Sequence, residues 1–477
     1  MSLAHRSLPA FAALALTGAL AAACTVGPDY QRPALGLPTA FHNAPAAASK
    51  MSGSDAWWLA FHDPELTRVV EAALVGNQDL AAAEARLRQE RAVARIAGAN
   101  LLPTAQLTGQ AAAQHQSLDS PVGEIASHFP GYKRDQALYD LGAGASWEID
   151  LFGGDRRAAQ AARADAKAAQ ASLAAVRLSV AADAADAYLQ VRAIQARLDI
   201  AAQQETTARA LAALVERRQG EGVASEREAH QARAALEGVE ARVPPLKAAL
   251  EAQAARLAIL MGQVPGDDRA LIDHPAAAPD APRPTAADGP AGLLRRRPDV
   301  VAAERRLAAA DARIGAAIGD YYPKVSLAGL LGAESLSTSN LFTSGAYQPQ
   351  AIAGLRWRLF DFGRIDAEVD GAKARRAEAL AAYRQTVLRA AGDVETAFSA
   401  LIESEAETDA LARQIDDLTR ARGQAQMAYA NGAVSLIEVL DADRGVLDAS
   451  DRLAQARADA DRAAVAAYRA LGGGWSV

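Results

Sequence analysis

The chain has one cysteine, Cys24, in 477 residues, so no disulfide framework forms within it and packing alone must hold its shape. Aromatic residues make up 5% of it, while alanine is abundant. Such a composition suits helices laid side by side rather than a thick globular core. Charge of neither sign dominates: 50 Lys+Arg stand against 57 Asp+Glu, a net −7 with a pI of about 5.6. No basic excess and no RNA- or DNA-binding motif is present, which excludes nucleic acid as a partner. The seven histidines are scattered, with no pair at metal-ligand spacing. No glycine loop ending in lysine is there to cradle a phosphate. No nucleophile has a base partner, and Ser225 and Ser435 lie at helix turns, where capping is the ordinary use of serine. The expectation is a protein that is not an enzyme and carries no cofactor. Beyond the N-terminal segment, no run approaches the roughly 18 apolar residues of a membrane-spanning helix.

That N-terminal segment is a targeting signal. His5 and Arg6 precede a mostly apolar run from Leu8 to Ala23, too short to span a bilayer. It closes on Leu20-Ala21-Ala22-Ala23-Cys24, which resembles a bacterial lipobox and implies cleavage after residue 23 and acylation of Cys24. Thr25 follows, where an aspartate would resemble an inner-membrane retention signal, so outer-membrane sorting is favoured. Residues 24–56 are rich in proline, alanine and serine and read as a lipid-anchored extended tether.

The chain is organised around Asp155–Gln219, 65 residues without glycine or proline. As one helix this would reach about 100 Å at roughly 1.5 Å per residue. Leu173, Val180, Ala187 and Ile194 recur on a seven-residue step, with Val191 and Leu198 beside them, a coiled-coil seam in which alanine allows close axis approach.

The chain also repeats itself. Asp79-Leu80 through Leu101-Leu102-Pro103 aligns without gaps to Asp299-Val300 through Tyr321-Tyr322-Pro323, and Trp147 answers Trp357. Gly222-Val223-Ala224-Ser225 answers Gly432-Ala433-Val434-Ser435. Matched prolines, tryptophans and glycines in one order mark a duplication. The first repeat spans 57–264, with strands at about 101–112 and 138–152 and long helices at about 155–219 and 223–262. A proline-rich linker, 265–290, follows, and the second repeat spans 291–477, with strands at about 322–333 and 348–360 and helices at about 364–431 and 433–471. Gly371, Gly392 and Gly423 are expected to loosen the long helix of the second repeat.

The strands alternate. From Tyr139 to Leu151, Leu141, Ala143, Ala145, Trp147 and Ile149 occupy one face and Asp140, Gly142, Gly144, Ser146 and Glu148 the other. Ala351, Ala353, Leu355 and Trp357 repeat this against Gln350, Gly354 and Arg356, with Ile352 a lapse. Such strands fit a membrane barrel, apolar toward lipid and polar toward a lumen. Four cannot close one, and open edges in lipid leave backbone groups unpaired, so other copies must complete the sheet. Two other readings are a lipid-tethered periplasmic coiled-coil structural or adaptor protein and a lipid-anchored envelope hydrolase; the alternation argues against the first and the missing nucleophile against the second.

Trp57-Trp58 with Phe61-x-Asp63-Pro64-x-Leu66, Arg297-Pro298-Asp299-Val300, Trp357-x-Leu359-Phe360-Asp361-x-Gly363-Arg364, Tyr429-Ala430-Asn431-Gly432 and Val439-Leu440-Asp441-Ala442 come in an order that resembles the outer membrane factors of the TolC/OprM/NodT type. The resemblance covers nearly the whole mature chain. It implies a mainly α protein with a small transmembrane β part, the outer membrane efflux protein fold. Three copies of four strands would make a twelve-stranded barrel continued by a long periplasmic α-helical barrel. It implies a passive exit duct of a tripartite efflux pump, a homotrimer in outer-membrane lipid. Its partners would be a periplasmic adaptor and an inner-membrane transporter, of the RND type. At the positions matching the family's periplasmic aperture stand Tyr429, Gly432, Ile437, Glu438 and Asp441: a constriction tyrosine, the turn, an apolar ring and an acidic ring. Two carboxylates from each of three copies would place six negative charges around the axis and favour cations. The turns at Gly222, Ser225, Gly432 and Ser435 would meet the adaptor.

Overall fold

The computed structural model describes residues 25–34, 36, 38–43, 56–266, 276, 279, 282–284, 290, 292 and 296–473. The signal segment, Cys24 and most of the proline-rich linker lie outside the described residues. The chain divides into two units, one drawn from Met1–Arg32, Arg88–Lys167 and Glu304–Ala381, the other from Pro33–Leu87, Ala168–Ala303 and Ala382–Val477.

The first unit holds the sheet. Strands β1 (Thr104–His115), β2 (Asp135–Ile149), β3 (Lys324–Ser335) and β4 (Tyr347–Arg356) lie antiparallel in sequence order. β1 and β3 begin directly after Pro103 and Pro323, not at 101 and 322, because proline has no N–H to give a ladder. β2 begins at Asp135 rather than 138, pairing with His115. β4 stops at Arg356 rather than 360, and the next residue turns its indole elsewhere. Trp357 Nε1 donates to the Tyr321 carbonyl at 3.0 Å, as Trp147 Nε1 donates to the Leu101 carbonyl at 3.0 Å. The two hairpins are thus tied in the same way to the residues that precede them. Register runs across all four strands: Leu107, Ala143, Leu331 and Pro349 form one row, Thr108, Gly142, Gly332 and Gln348 the next. The two-residue alternation therefore separates a largely apolar face from a largely polar one over the whole sheet.

Residues 25–32 are fixed against this unit. Buried Arg157 donates to the carbonyls of Val26 (3.1 Å) and Gly27 (3.2 Å) and to Asp29 (2.9 Å). Buried Glu304 accepts from Arg32 at 2.5 Å and from Tyr30. Gly27, at φ +90°, lies against Gly315, where a side chain on either would collide with backbone.

The second unit is built on helices. Trp57, Trp58 and Phe61 form a buried 3-10 turn leading to α1 (Pro64–Gly76), whose N-cap Asp63 accepts from the N–H of Glu65 and Leu66. Asp63 also accepts from Tyr188 at 2.6 Å. The core joins these residues to Val180, Ala187, Val191 and Ile194, so the seam of the long helix is buried where its spacing places it. Trp57 stacks on Tyr468 with ring centres 5.4 Å apart.

Helix α2 is Gln78–Ala99 and the short α3 is Pro121–Ser127. Helices α4 (Gly154–Gly220) and α8 (Arg364–Ala430) have 67 residues each. α8 is continuous helix through Gly371, Gly392 and Gly423, each of which costs about 1 kcal/mol relative to alanine in a helix interior. The expected single helix over 223–262 is instead two, α5 (Glu226–Glu240) and α6 (Val243–Leu260). Pro244 and Pro245 cause the break, removing two helical N–H donors and favouring the first turn of a new helix. At the corresponding place in the second repeat stand Ala454 and Gln455, and α9 (Leu436–Ala470) is unbroken.

A second repeated contact lies where α6 and α9 end. Asn77 Nδ2 donates to the Leu260 carbonyl at 3.0 Å, and Arg297 Nη1 donates to the Ala470 carbonyl at 3.0 Å. Each donor directly precedes the next helix, α2 or α7 (Pro298–Gly319), and each takes an otherwise unpaired C-terminal carbonyl. Arg297 is 8% exposed and also binds Asp299, Asp393 and the Ala390 carbonyl. Burial works against its charge, yet the two carboxylates hold the guanidinium above its usual range.

Candidate functional site

Two turns in the second unit carry the residues singled out by sequence. α4 ends at Gly220 and α8 at Ala430, and both chains reverse by the same geometry. Gly222 and Gly432 each have φ +74°, a left-handed conformation suited to glycine. Their N–H groups bond back to the Gln219 and Tyr429 carbonyls at 2.9 and 3.0 Å. The residues after them bond to the Arg218 and Ala428 carbonyls at 2.8 and 2.9 Å. Each helix thus closes in a glycine-ended cap.

The turns differ at the next cap. Ser225 and Glu228 form a reciprocal box: the serine hydroxyl accepts from the Glu228 N–H, and the Glu228 carboxylate accepts from the Ser225 N–H at 2.8 Å. Backbone and hydroxyl bonds from Ser225 hold the Glu228 carboxyl below its usual range. Ser435 has nearly the same backbone angles but makes no side-chain cap bond. Glu438 stands where Glu228 does, yet its carboxylate is not folded back onto the serine.

Helix α9 has two faces here. Leu436 and Val439 are buried, together with Ala212 and Val215 of α4 and Ala229 and Ala232 of α5. Ile437, Glu438 and Asp441 lie on the other face, and Ile437 is 42% exposed. Offsets of one and four residues bring the three within about 100° of arc on a 3.6-residue helix. The aperture candidates Ile437, Glu438 and Asp441 are therefore brought together on one exposed surface. Gly222, Ser225, Gly432 and Ser435 are likewise exposed or half-buried at the turns.

Tyr429 does not join them. It is 5% exposed and packs inside the cluster under Leu436 and Val439, its hydroxyl buried without a hydrogen-bond partner. Over its ring sits Arg218, which sequence reasoning passed over. The signal was available: Arg217 and Arg218 occupy the last turn of α4, where the helix dipole favours cations. Asp443 was also missed. It faces Arg422 of α8 at 4.0 Å, and burial pushes its carboxyl up while the arginine pulls it down.

Among the described residues no three His, Cys, Asp or Glu side chains are grouped to hold a metal ion. No helix among them is long and apolar enough to cross a membrane. The site is a pair of shaped turns with an acidic and apolar exposed face, an arrangement suited to contact and electrostatic selection.

Comparison with known proteins gives this arrangement a family. The model of the outer membrane efflux protein family matches residues 69–263 and 290–473, that is, both repeats. The pyoverdine export outer membrane protein OpmQ of Pseudomonas putida is 35% identical over 446 residues, 93% of each chain. The solvent efflux pump outer membrane protein SrpC of Pseudomonas putida is 30% identical over 482 residues, 99% of each chain. Among solved structures, the outer-membrane channel OprN superposes with a TM-score of 0.86 at 36% identity, covering 95% of this chain and 100% of that one. The open-state MtrE outer membrane channel of Neisseria gonorrhoeae gives 0.82 at 27% identity, covering 94% and 98%. Sequence, duplicated architecture and structural match agree, and the chain belongs to the outer membrane efflux protein family, whose members are outer-membrane channels.

Proposed function

We propose that three copies of this chain close into the exit duct of a tripartite efflux pump. The observation that carries this reading is the sheet. It has four strands in the order β1-β2-β3-β4, so β1 and β4 are edges. Its rows alternate between apolar and polar, as a barrel wall between lipid and water requires. An open edge in hydrocarbon costs several kcal/mol per unpaired group. Three sheets joined edge to edge remove every edge and give twelve strands. The pair of 67-residue helices is long enough to continue such a barrel for about 100 Å. A periplasmic coiled-coil adaptor has no use for this sheet.

In the assembled duct the α4–α5 and α8–α9 turns form the periplasmic tip. Ile437, Glu438 and Asp441 face the axis as an apolar and an acidic ring, and Tyr429 holds the turn from within. Gly222, Ser225, Gly432 and Ser435 present the turns to a periplasmic adaptor, and an inner-membrane transporter supplies the energy. Cys24 carries the lipid anchor, one residue from the fixed segment that starts at Thr25. OpmQ is named for pyoverdine export and SrpC for solvent efflux, so one duct architecture serves unlike cargoes across the family.

The test is reconstitution in a planar lipid bilayer, with gel mobility of unheated and boiled protein in mild detergent alongside. The reading expects a trimer band that collapses on boiling and discrete conductance steps. A monomer before heating, with no conductance, would overturn it.

A further inference from the structure

The two hairpins are built to one register. Thr104 faces Ser146 in the first and Lys324 faces Arg356 in the second. Each hairpin is tied by a tryptophan, Trp147 or Trp357, to the carbonyl of Leu101 or Tyr321. The repeats therefore map onto each other residue by residue across the sheet. Within the chain, one sheet junction joins the repeats, that of β2 with β3. Its counterpart, β4 with β1, would have to lie between copies.

The strands that should match end differently. Trp147, Glu148 and Ile149 lie beyond the last pair with β1 and are strand only through Leu327, Ser326 and Val325 of β3. The equivalent residues Trp357, Arg358 and Leu359 lie beyond the last pair with β3, have no such neighbour, and are not strand. The segment that follows differs in the same way. Phe152 stacks on Tyr322 with ring centres 4.6 Å apart. Phe362, like Phe152, precedes a left-handed glycine, φ +84° at Gly153 and +81° at Gly363. Its ring is fully exposed, and so is most of Leu102, which stands before Pro103 where Tyr322 stands before Pro323. The backbone at Phe362 is itself left-handed at φ +55°, uncommon for so bulky a residue and unlike Phe152. The end of β4 thus has the sequence of the end of β2 without the neighbour that β3 supplies.

Resting on the trimer reading, we propose that β4 of one copy joins β1 of the next in the register that β2 holds with β3. Trp357 then lies opposite the partner's Leu107, Arg358 opposite the partner's Gln106 and Leu359 opposite the partner's Ala105. β4 lengthens to Leu359 on joining, and Phe362 seats on the partner's Leu102. This register keeps the faces matched. Leu355 and Trp357 meet Gly109 and Leu107 in the apolar rows, and Arg356 and Arg358 meet Thr108 and Gln106 in the polar ones. A slip of one residue would set the arginines among apolar neighbours. A head-to-tail contact of this kind closes into a ring. The ion pair of the inner junction, Lys324 with Glu148 at 3.6 Å, has no counterpart, because Thr104 and Arg358 occupy those positions. The closing junction therefore relies on backbone pairing and on the apolar seat.

The test is oxidative cross-linking of the full chain in mild detergent, read on boiled gels with and without reductant. Arg358→Cys with Gln106→Cys places two thiols directly opposite each other, within the Cα separation that a disulfide accepts. Arg358→Cys with Thr104→Cys, or with Thr108→Cys, stays on the same face but is offset by two residues, about 7–8 Å away and out of reach. Single-cysteine variants control for Cys24. The proposal expects reductant-sensitive dimers and trimers from the first pair, with the two offset pairs largely uncrosslinked. Phe362→Ala and Leu102→Ala should each lower the temperature at which the trimer band collapses, and together by less than the sum, since they remove one contact. Efficient cross-linking of an offset pair, or a heat-sensitive trimer in which no pair cross-links, would overturn the register and leave the duct standing. Additive shifts, or none, would overturn the seat of Phe362. A monomer before heating would sink this proposal and the duct together.

Discussion

The guanidinium carbon of Arg218 lies 4.6 Å from the centre of the Tyr429 ring, linking the end of the first long helix to the end of the second. The ring is held from both sides, by a cation and by Leu436 and Val439, while its hydroxyl has no partner. Tyr429→Phe should therefore keep the packing, remove a buried unpaired group and raise stability by about 1 kcal/mol. Arg218→Gln should lower it by about 1 kcal/mol. Denaturant unfolding followed by far-UV circular dichroism decides; a clear loss of stability in Tyr429→Phe would mean that the hydroxyl is bonded.

The repeated junction should be unequal in strength. Asn77→Ala removes one neutral hydrogen bond and should cost about 1 kcal/mol. Arg297→Ala removes bonds to two half-exposed carboxylates and leaves the Ala390 and Ala470 carbonyls without their donor, and should cost more, about 2–3 kcal/mol. Arg297→Lys should not restore it, because a point-like ammonium cannot reach two carboxylates and two carbonyls at once. The same unfolding assay ranks the three.

The two serine caps give a paired comparison. Ser225→Ala should cost about 1 kcal/mol, and Ser435→Ala less, because only Ser225 forms the reciprocal box. The Glu228 carboxyl is lowered in the folded chain, so its contribution is present above the unfolded value and lost as pH falls through the folded one. Acid should therefore narrow the gap between the variants, and parallel stability curves across the carboxylate range would contradict the box.

If Glu438 and Asp441 line the axis, Asp441→Asn and Glu438→Gln should each reduce the preference for cations over anions, and together more so. The reversal potential under a salt gradient reads this directly. An unchanged value in the double variant would place both residues off the conduction path. Glu228→Gln, at the first turn, should leave the reversal potential unmoved.

Much of this structure is legible in residue order. Pro103 and Pro323 mark where strands start, and the glycines at 222 and 432 mark the turns, because each imposes a backbone constraint that no context relaxes. The period-two rows are legible because successive strand side chains point to opposite faces, and the seven-residue seam because burial follows it directly. The break in 223–262 was also written in Pro244-Pro245, but alanine-rich sequence on both sides obscures it. The inward packing of Tyr429 was not legible, since the side that a helix-terminal ring faces depends on its neighbour across the turn. Arg218 and Tyr429 are brought together by tertiary packing, and no local pattern announces such a pair.

Asn77 closes on Leu260 and Arg297 on Ala470, so each repeat fastens its own end to its own beginning. Each half is thus a closed clasp, and the covalent bond between halves is not among the fastenings. Cutting the gene in the stretch encoding 265–290 and producing the halves as separate polypeptides should still yield the heat-sensitive oligomer, now from twice as many pieces. The present single chain then has the architecture of a fused pair, with one half keeping its serine–glutamate cap while the other leaves Glu438 exposed.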